Sequence, residues 1–357
     1  MTASQRVKTP GFQALVVATI IFALFTQSVG GTIGFFILFG IPLFAMTPLP
    51  PYASRGERIW HYAFLATCTL IFLFLILPIL IIIPLSFNTE PYFSFTEGMI
   101  ALDPEAYSTR WYADIFRFGM TAPDAVEGWW EDMWENATWI RAFRNSFFLA
   151  IASTILATTL GTLAALGLSR PEMPFRSAIT SLLISPMIVP LVITATGMFF
   201  FYGGTMQGVI PGYPDGLAKT YLGLVLAHTT LGVPFVIITV TATLSGFDRS
   251  LIRASQSLGA SGFTTFFKVV MPLILPGMIS GALFAFITSL DEVVAVIFMA
   301  DVDQRTIPRQ MFSGLREQIS PTILAVATIL VIMSIILLTT VELLRRRSER
   351  LRGLSPG

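Results

Sequence analysis

Two adjacent carboxylates, Asp291 and Glu292, interrupt an apolar run that extends from Leu273 to Met299. A charge facing hydrocarbon costs roughly 2.5 to 3.5 kcal/mol on insertion scales, so both side chains must face protein or water. Such a pair suits acid and base catalysis, binding of a coupling proton or cation, or an attractive station for a cationic substrate. Neighbouring helical residues point about 100° apart, so at most one of the two looks down a central pathway. Asp291 is the choice, because Thr288 three residues earlier extends the same polar stripe. The other then turns toward a neighbouring helix, and the alternative to a cationic station is a helix-packing or gating carboxylate paired with an arginine or the backbone. Catalysis lacks its other parts, since no nucleophile, metal cluster or cofactor motif accompanies the carboxylates in the sequence.

Other chemistry is excluded in the same way. A phosphate-binding G-x-x-x-x-G-K-[ST] loop is absent, because the lysines are Lys8, Lys219 and Lys268 and none follows a glycine. His61 stands at the start of one apolar run and His228 inside another, without the cysteines or H-E-x-x-H spacing of a metal site. His228 reads as a satisfied packing histidine, with a hydrogen bond across helices as the alternative. Cys68, the single cysteine, reads as a small core residue and rules out an intrachain disulfide.

The elements that position these residues are membrane spans. With 54% hydrophobic and 12% charged residues in 357, the chain is too apolar for an ordinary soluble domain. Apolar runs predict about eight transmembrane helices: Phe12 to Val29, Thr32 to Thr47, Tyr62 to Phe87, Ser146 to Ser169, Ala178 to Tyr202, Thr220 to Leu244, Leu273 to Met299 and Thr322 to Leu344. The fold class is an all-α membrane protein, a polytopic helical bundle. Residues 1–58 form an N-terminal hairpin extension, 59–344 the main transmembrane domain and 345–357 a basic tail. A cleaved signal peptide is the competing reading of the first run, but no convincing small-residue cleavage site follows it.

Charge sets the orientation. Arg6 and Lys8 precede the hairpin and Arg55 and Arg58 follow it, which places both flanks in the cytoplasm. The alternation then puts Arg170, Arg176, Arg249, Arg253, Lys268 and the tail arginines inside, with both termini cytoplasmic. The external segment 88–140 is strongly acidic and ends in Trp129, Trp130, Trp134 and Trp139, which read as interfacial anchors. The basic tail reads as a topology stop beside anionic lipid. Gly277 and Gly281 form a small-xxx-small pair that lets another helix approach closely, as at a contact with a second membrane subunit, and Pro186, Pro190 and Pro234 fit bent spans.

The cytoplasmic loop 245–276 carries its own punctuation. Ser245 with Asp248 three residues on reads as a capping box, and Gly259 as a left-handed stop after Leu258, which predicts a helix of about three turns. Ser261 caps a second helix whose Phe263, Phe266 and Phe267 share one face before Pro272 redirects the chain. A helix held along the membrane and tied to a span is a suitable part for transmitting a push from a soluble partner, and equally fits an ordinary interfacial helix.

Arg253-Ala254-Ser255-Gln256-Ser257-Leu258-Gly259, followed at the expected distance by Leu273-Ile274-Leu275-Pro276, resembles the E-A-A, three residues, G, nine residues, I-x-L-P loop of permease subunits in binding-protein-dependent ABC importers. The stretch FAFITSLDEVVAVIFMADVDQRTIPRQMFSGLREQISPTILAVATILV narrows the likeness to the second permease of spermidine/putrescine transporters. The resemblance runs from about Ile59 to Leu344. It implies a type I importer core of six helices, to which the N-terminal hairpin is extra. It further implies a bacterial inner membrane, a second permease, two ATPase subunits that bind ATP and magnesium, and a periplasmic or extracellular solute-binding protein. The chain itself would carry no cofactor, metal or nucleic acid.

The site residues then comprise an ATPase-coupling loop, with Asp248, Arg253, Ala254, Ser255, Leu258, Gly259 and Pro276, and a pathway lined by Thr288, Asp291 and Glu292. Arg253 stands where the family has glutamate and Ser255 where it has alanine. The expected substrate is a polyamine or related small organic cation. Alternatives are another small solute such as an opine, betaine or amino acid, or an ion-coupled secondary transporter.

Overall fold

The computed structural model describes residues 52, 54–170, 172–317 and 320–351, so the predicted hairpin lies outside the described residues. The chain divides into two compact units, Met1–Leu85 and Ser86–Gly357. Among the described residues, five helices are long and apolar enough to cross a membrane, and a bent pair makes six if it counts as one span. These six follow the six later runs predicted from composition.

In the first unit, helix α1 (Arg55–Leu85) starts on a capping box: the Ser54 amide donates to Glu57 Oε2 at 2.7 Å, and the Glu57 amide donates to Ser54 Oγ at 3.2 Å. At about 1.5 Å per residue its 31 residues reach about 46 Å, enough to span a bilayer.

The second unit is built on three mutually packed spans, α5 (Thr138–Leu168), α8 (Tyr221–Ser245) and α11 (Met271–Leu290). They approach closely because small residues line the seams. A methyl group added at Gly161 would meet Val236 Cβ at 2.6 Å, and one at Gly232 would meet Ala285 and Ala157. The pair Gly277 and Gly281 serves this same packing: added methyls would strike the Thr243 and Thr239 side chains of α8. Both glycines are buried within the chain, which corrects the expectation that they receive a second subunit.

Between α1 and α5 the chain forms short helices α2 (Glu97–Ile100), α3 (Arg110–Arg117) and α4 (Trp129–Asn136). Asn88 organises this segment: its amide group donates to the Tyr92 and Ser94 carbonyls, and its own carbonyl accepts the Trp111 indole N–H at 2.7 Å. Asp132 accepts from Thr121, Ala122 and Asn136, and these bonds hold its carboxyl well below the usual range. Trp130 and Trp134 are exposed, as anchors should be. Trp139 is buried against Ile115, Ile307 and Ile323 and is a core residue instead.

The span expected from Ala178 to Tyr202 is two arms, α6 (Arg176–Ile188) and α7 (Leu191–Phe200), bent by 104°. Pro190 has no N–H to continue the ladder and forces Val189 into extended backbone, so the helix ends and restarts there. A π-turn over Phe201–Thr205 follows α7. Beyond α11 come α12 (Val294–Met299), α13 (Ile307–Glu317) and α14 (Thr322–Leu351). The last helix continues past the predicted boundary at 344 and takes in the first arginines of the tail.

The two ends of the bundle differ. At the loop end, Ala165, Val240, Val270 and Ile274 pack with Phe247, Ile252 and Phe266. At the far end, Leu149, Leu224, Val296 and Met299 pack together.

Candidate coupling loop and pathway face

At the loop end, α8 runs to Ser245, and a two-turn helix α9 (Ser250–Ser257) lies beyond it. The expected cap is displaced. Ser245 is the last residue of α8 and donates to the Ala242 carbonyl, while Asp248 takes over by accepting from the Ser250 amide at 2.8 Å and its hydroxyl at 2.6 Å. Those two bonds, then the nearby Arg253 charge, hold the Asp248 carboxyl below the usual aspartate range. Because the folded value is depressed, the cap is complete at neutral pH and is lost only as pH falls below the ordinary aspartate range. Gly259 sits at φ +79, the left-handed stop that its type suggests. The α9 helix has one face inward, through Ile252, and one outward, where Arg253, Ala254 and Gln256 are exposed and Leu258 is 88% exposed.

Ser261 caps the next helix as expected, accepting from the Thr264 amide. Its three phenylalanines form one ring cluster, with Phe263 and Phe267 centroids 4.6 Å apart and Phe266 and Phe267 4.9 Å apart. The chain is not redirected at Pro272. Helix α10 (Gly262–Thr265) passes through a π-turn over Phe266–Val270 directly into α11, and Pro272 stands just after that turn, at the start of α11. Counting nine residues on from Gly259 brings Val269-Val270-Met271-Pro272 to the I-x-L-P position, so Pro276 lies inside the span rather than in the loop.

The carboxylates sit at a break that the sequence does not mark. α11 ends at Leu290, Asp291 forms its C-cap, and the chain restarts at Val294. Asp291 and Glu292 are therefore not consecutive positions on one helix. Glu292 is 6% exposed, and its Oε1 accepts the Ala295 amide at 2.8 Å, capping the first turn of α12. At the other end of α12 the Arg309 guanidinium donates to the Val296 and Ala300 carbonyls at 3.1 and 3.0 Å. A carboxylate at the N-terminus and a guanidinium at the C-terminus both suit the helix dipole. Asp291 is exposed and continues the outward face of α11 that carries Phe284 and Ile287, with Thr288 half-buried beside it.

Just inside the break, Ser289 joins the three core spans. Its hydroxyl lies 2.7 Å from His228 Nδ1 of α8 and 3.0 Å from Ser153 Oγ of α5, and all three residues are buried. His228 thus bonds across helices through Nδ1 and is not a fully satisfied packing histidine, since its buried Nε2 has no partner among the described residues. Ser153, Ser289 and Arg309 escaped sequence reading, because lone hydroxyls in apolar spans and a lone arginine give no spacing signal of their partners.

Residues 157–351, more than half of the chain, match the family described as binding-protein-dependent transport system inner membrane component. The chain belongs to this family. Family relatives include the spermidine/putrescine transport system permease protein PotC of Haemophilus influenzae, 28% identical over 78% of this chain and 95% of that one. The putrescine transport system permease protein PotI of Escherichia coli K12 is 29% identical over 72% of this chain and 82% of its own length. The fold resembles a chain of a bacterial ABC transporter involved in import of the acidic polysaccharide alginate, with a TM-score of 0.55, 16% identity, and coverage of 84% of this chain and 99% of that one. This family member is thus a multi-pass inner-membrane permease subunit of an ABC importer. It is not itself an enzyme, and it is the membrane component of a binding-protein-dependent transport system.

Proposed function

We propose that the chain pairs with a second permease to form the translocation pathway of an importer for polyamines or closely related small organic cations. The observation that carries the reading is the placement of Asp291. It is an exposed carboxylate at the C-terminal end of a span, two residues beyond Ser289, which meets His228 about 10 Å into α8 from its Tyr221 end. A lipid-facing charge at such a position is costly, so Asp291 faces either a neighbouring subunit or a water-filled pathway. The relatives named for spermidine and putrescine transport supply the solute chemistry that a lone carboxylate would attract. Thr288 and Asp291 then line the path, and Glu292 supports it by capping α12.

The loop end is the cytoplasmic end in this reading, because Arg170, Arg176, Arg249, Arg253 and Lys268 gather there while the segment between α1 and α5 is acidic. Both termini then lie in the cytoplasm. The outward face of α9, with Arg253, Ala254, Leu258 and Gly259, docks on one of two ATPase subunits, which bind ATP and magnesium. The periplasmic solute-binding protein delivers solute at the far end.

Asp291→Asn tests the cation station. In reconstituted vesicles it is expected to lower putrescine import about ten-fold, the scale of one charge-assisted hydrogen bond, with assembly unchanged. Import at the parent rate would remove Asp291 from the pathway.

A further inference from the structure

The loop helix α9 and the span that follows it are joined by a short connection containing Gly259 in the left-handed region, and a connection of this kind is a natural pivot. The apolar contact between Ile252 and Phe266 adds burial but little direction. One contact across the corner is directional. The Ser255 hydroxyl lies 2.9 Å from the Ile252 carbonyl and 2.9 Å from Thr265 Oγ1, and Thr265 is 4% exposed. A serine hydroxyl has one proton. Ser255 gives it to the Ile252 carbonyl, so Thr265 donates to Ser255, and the three groups form an ordered chain from α10 into the backbone of α9.

Position 255 is the second place where the loop departs from the family pattern, with serine in the place of alanine. A methyl group there would leave the Thr265 hydroxyl buried without this partner. Thr265 immediately precedes the π-turn Phe266–Val270, and Val270 packs in the core with Val240 and Ile274. The other flank of α9 is anchored separately, because the Arg249 guanidinium donates to the Ser169 carbonyl at the end of α5.

We propose that the Ser255–Thr265 hydroxyl pair is the positioning link that makes α9 and the α10–α11 span move as one body. It carries a displacement of the loop through the π-turn and along α11 to the break at Asp291. The proposal rests on the reading that α9 docks on the ATPase, and it assigns Ser255 and Thr265 to transmission rather than to docking. Ser255 and Thr265 are partly or fully buried behind the outward face, which suits that division.

The test uses the full transporter in lipid vesicles, with Cys68→Ser in this chain and spin labels at Leu251→Cys, an exposed α9 position not among the docking residues, and Ile287→Cys. With Ser255 and Thr265 intact, the label distance is narrow and does not change when ATP and vanadate trap the ATPase. In Ser255→Ala and Thr265→Val the distribution broadens and shifts on trapping. ATPase association holds, and ATP hydrolysed per putrescine imported rises about five-fold, the low end of coupling between sites. Thr265→Ser keeps the donor and behaves as the parent, and the double variant is no worse than either single one.

A parent-like distance in Ser255→Ala overturns the proposal. So does loss of ATPase association in that variant, which would make the pair part of the docking face. If the parent transporter itself keeps its ATPase when the outward face of α9 is altered, the docking reading fails instead. The label distance still reports whether the hydroxyl pair joins the two helices.

Discussion

Leu258→Asp is expected to release the ATP-hydrolysing subunit while leaving the permease folded. Leu258 is 88% exposed and Phe263 76% exposed at the loop end, two large apolar side chains with little of their surface covered by this chain. Leu258 immediately precedes the Gly259 stop, so its place at the end of α9 is set by the corner itself. An apolar anchor buried in a partner's pocket contributes about 2 kcal/mol or more, roughly 30-fold in affinity. An aspartate in the same pocket adds the cost of an unpaired charge, so the loss is larger still. Co-purification with the ATPase measures it. Val209→Asp, at a position 62% exposed in the connection between the π-turn after α7 and α8, is the matched control and leaves association unchanged. Retained association in Leu258→Asp would mean that the partner docks on another surface.

The second large effect separates two neighbouring acids. Glu292→Leu removes the acceptor for the Ala295 amide at the buried start of α12, and an orphaned buried donor costs about 1 to 3 kcal/mol. α12 packs through Ala295, Val296 and Met299 against Leu149, Leu224, Leu231 and Ala195, so loosening its first turn disturbs the far end of the core. Thermal unfolding in detergent is expected to shift down clearly for Glu292→Leu and little for Glu292→Gln, which keeps an acceptor oxygen. Asp291→Asn, at an exposed position, leaves the unfolding temperature in place and lowers import. Equal thermal losses at both positions would mean that Asp291 is also a structural residue.

Much of this arrangement is legible in the sequence, and the remainder is lost for physical reasons. The six later spans are readable because crossing hydrocarbon demands long apolar runs, and Gly259 and Ser261 are readable because left-handed stops and N-caps are local chemistry. Ser245 and Asp248 have capping-box spacing, yet α8 continues to Ser245 and leaves Asp248 to cap alone; spacing does not say where the preceding helix ends.

Partners across the bundle are harder to read. Gly277 and Gly281 announce a close approach without naming the helix that makes it, and that helix is α8 of the same chain. Pro190 announces a bend but not its 104° size. The break after Leu290 has no proline or glycine to mark it. It is stabilised by Glu292 folding back onto Ala295 and by Arg309 on the far carbonyls of α12. The roles of Asp291 and Glu292 therefore separate only when both ends of that short helix are in view.

The most direct measurement of the central claim is solute uptake by the complete transporter in sealed vesicles, with ATP enclosed on the ATPase side and labelled putrescine delivered with the solute-binding protein on the other. An importer driven by ATP through the α9 loop predicts accumulation that needs ATP and the binding protein, and that collapses in Leu258→Asp even with a proton or sodium gradient present. Accumulation that follows such a gradient without ATP would contradict the account.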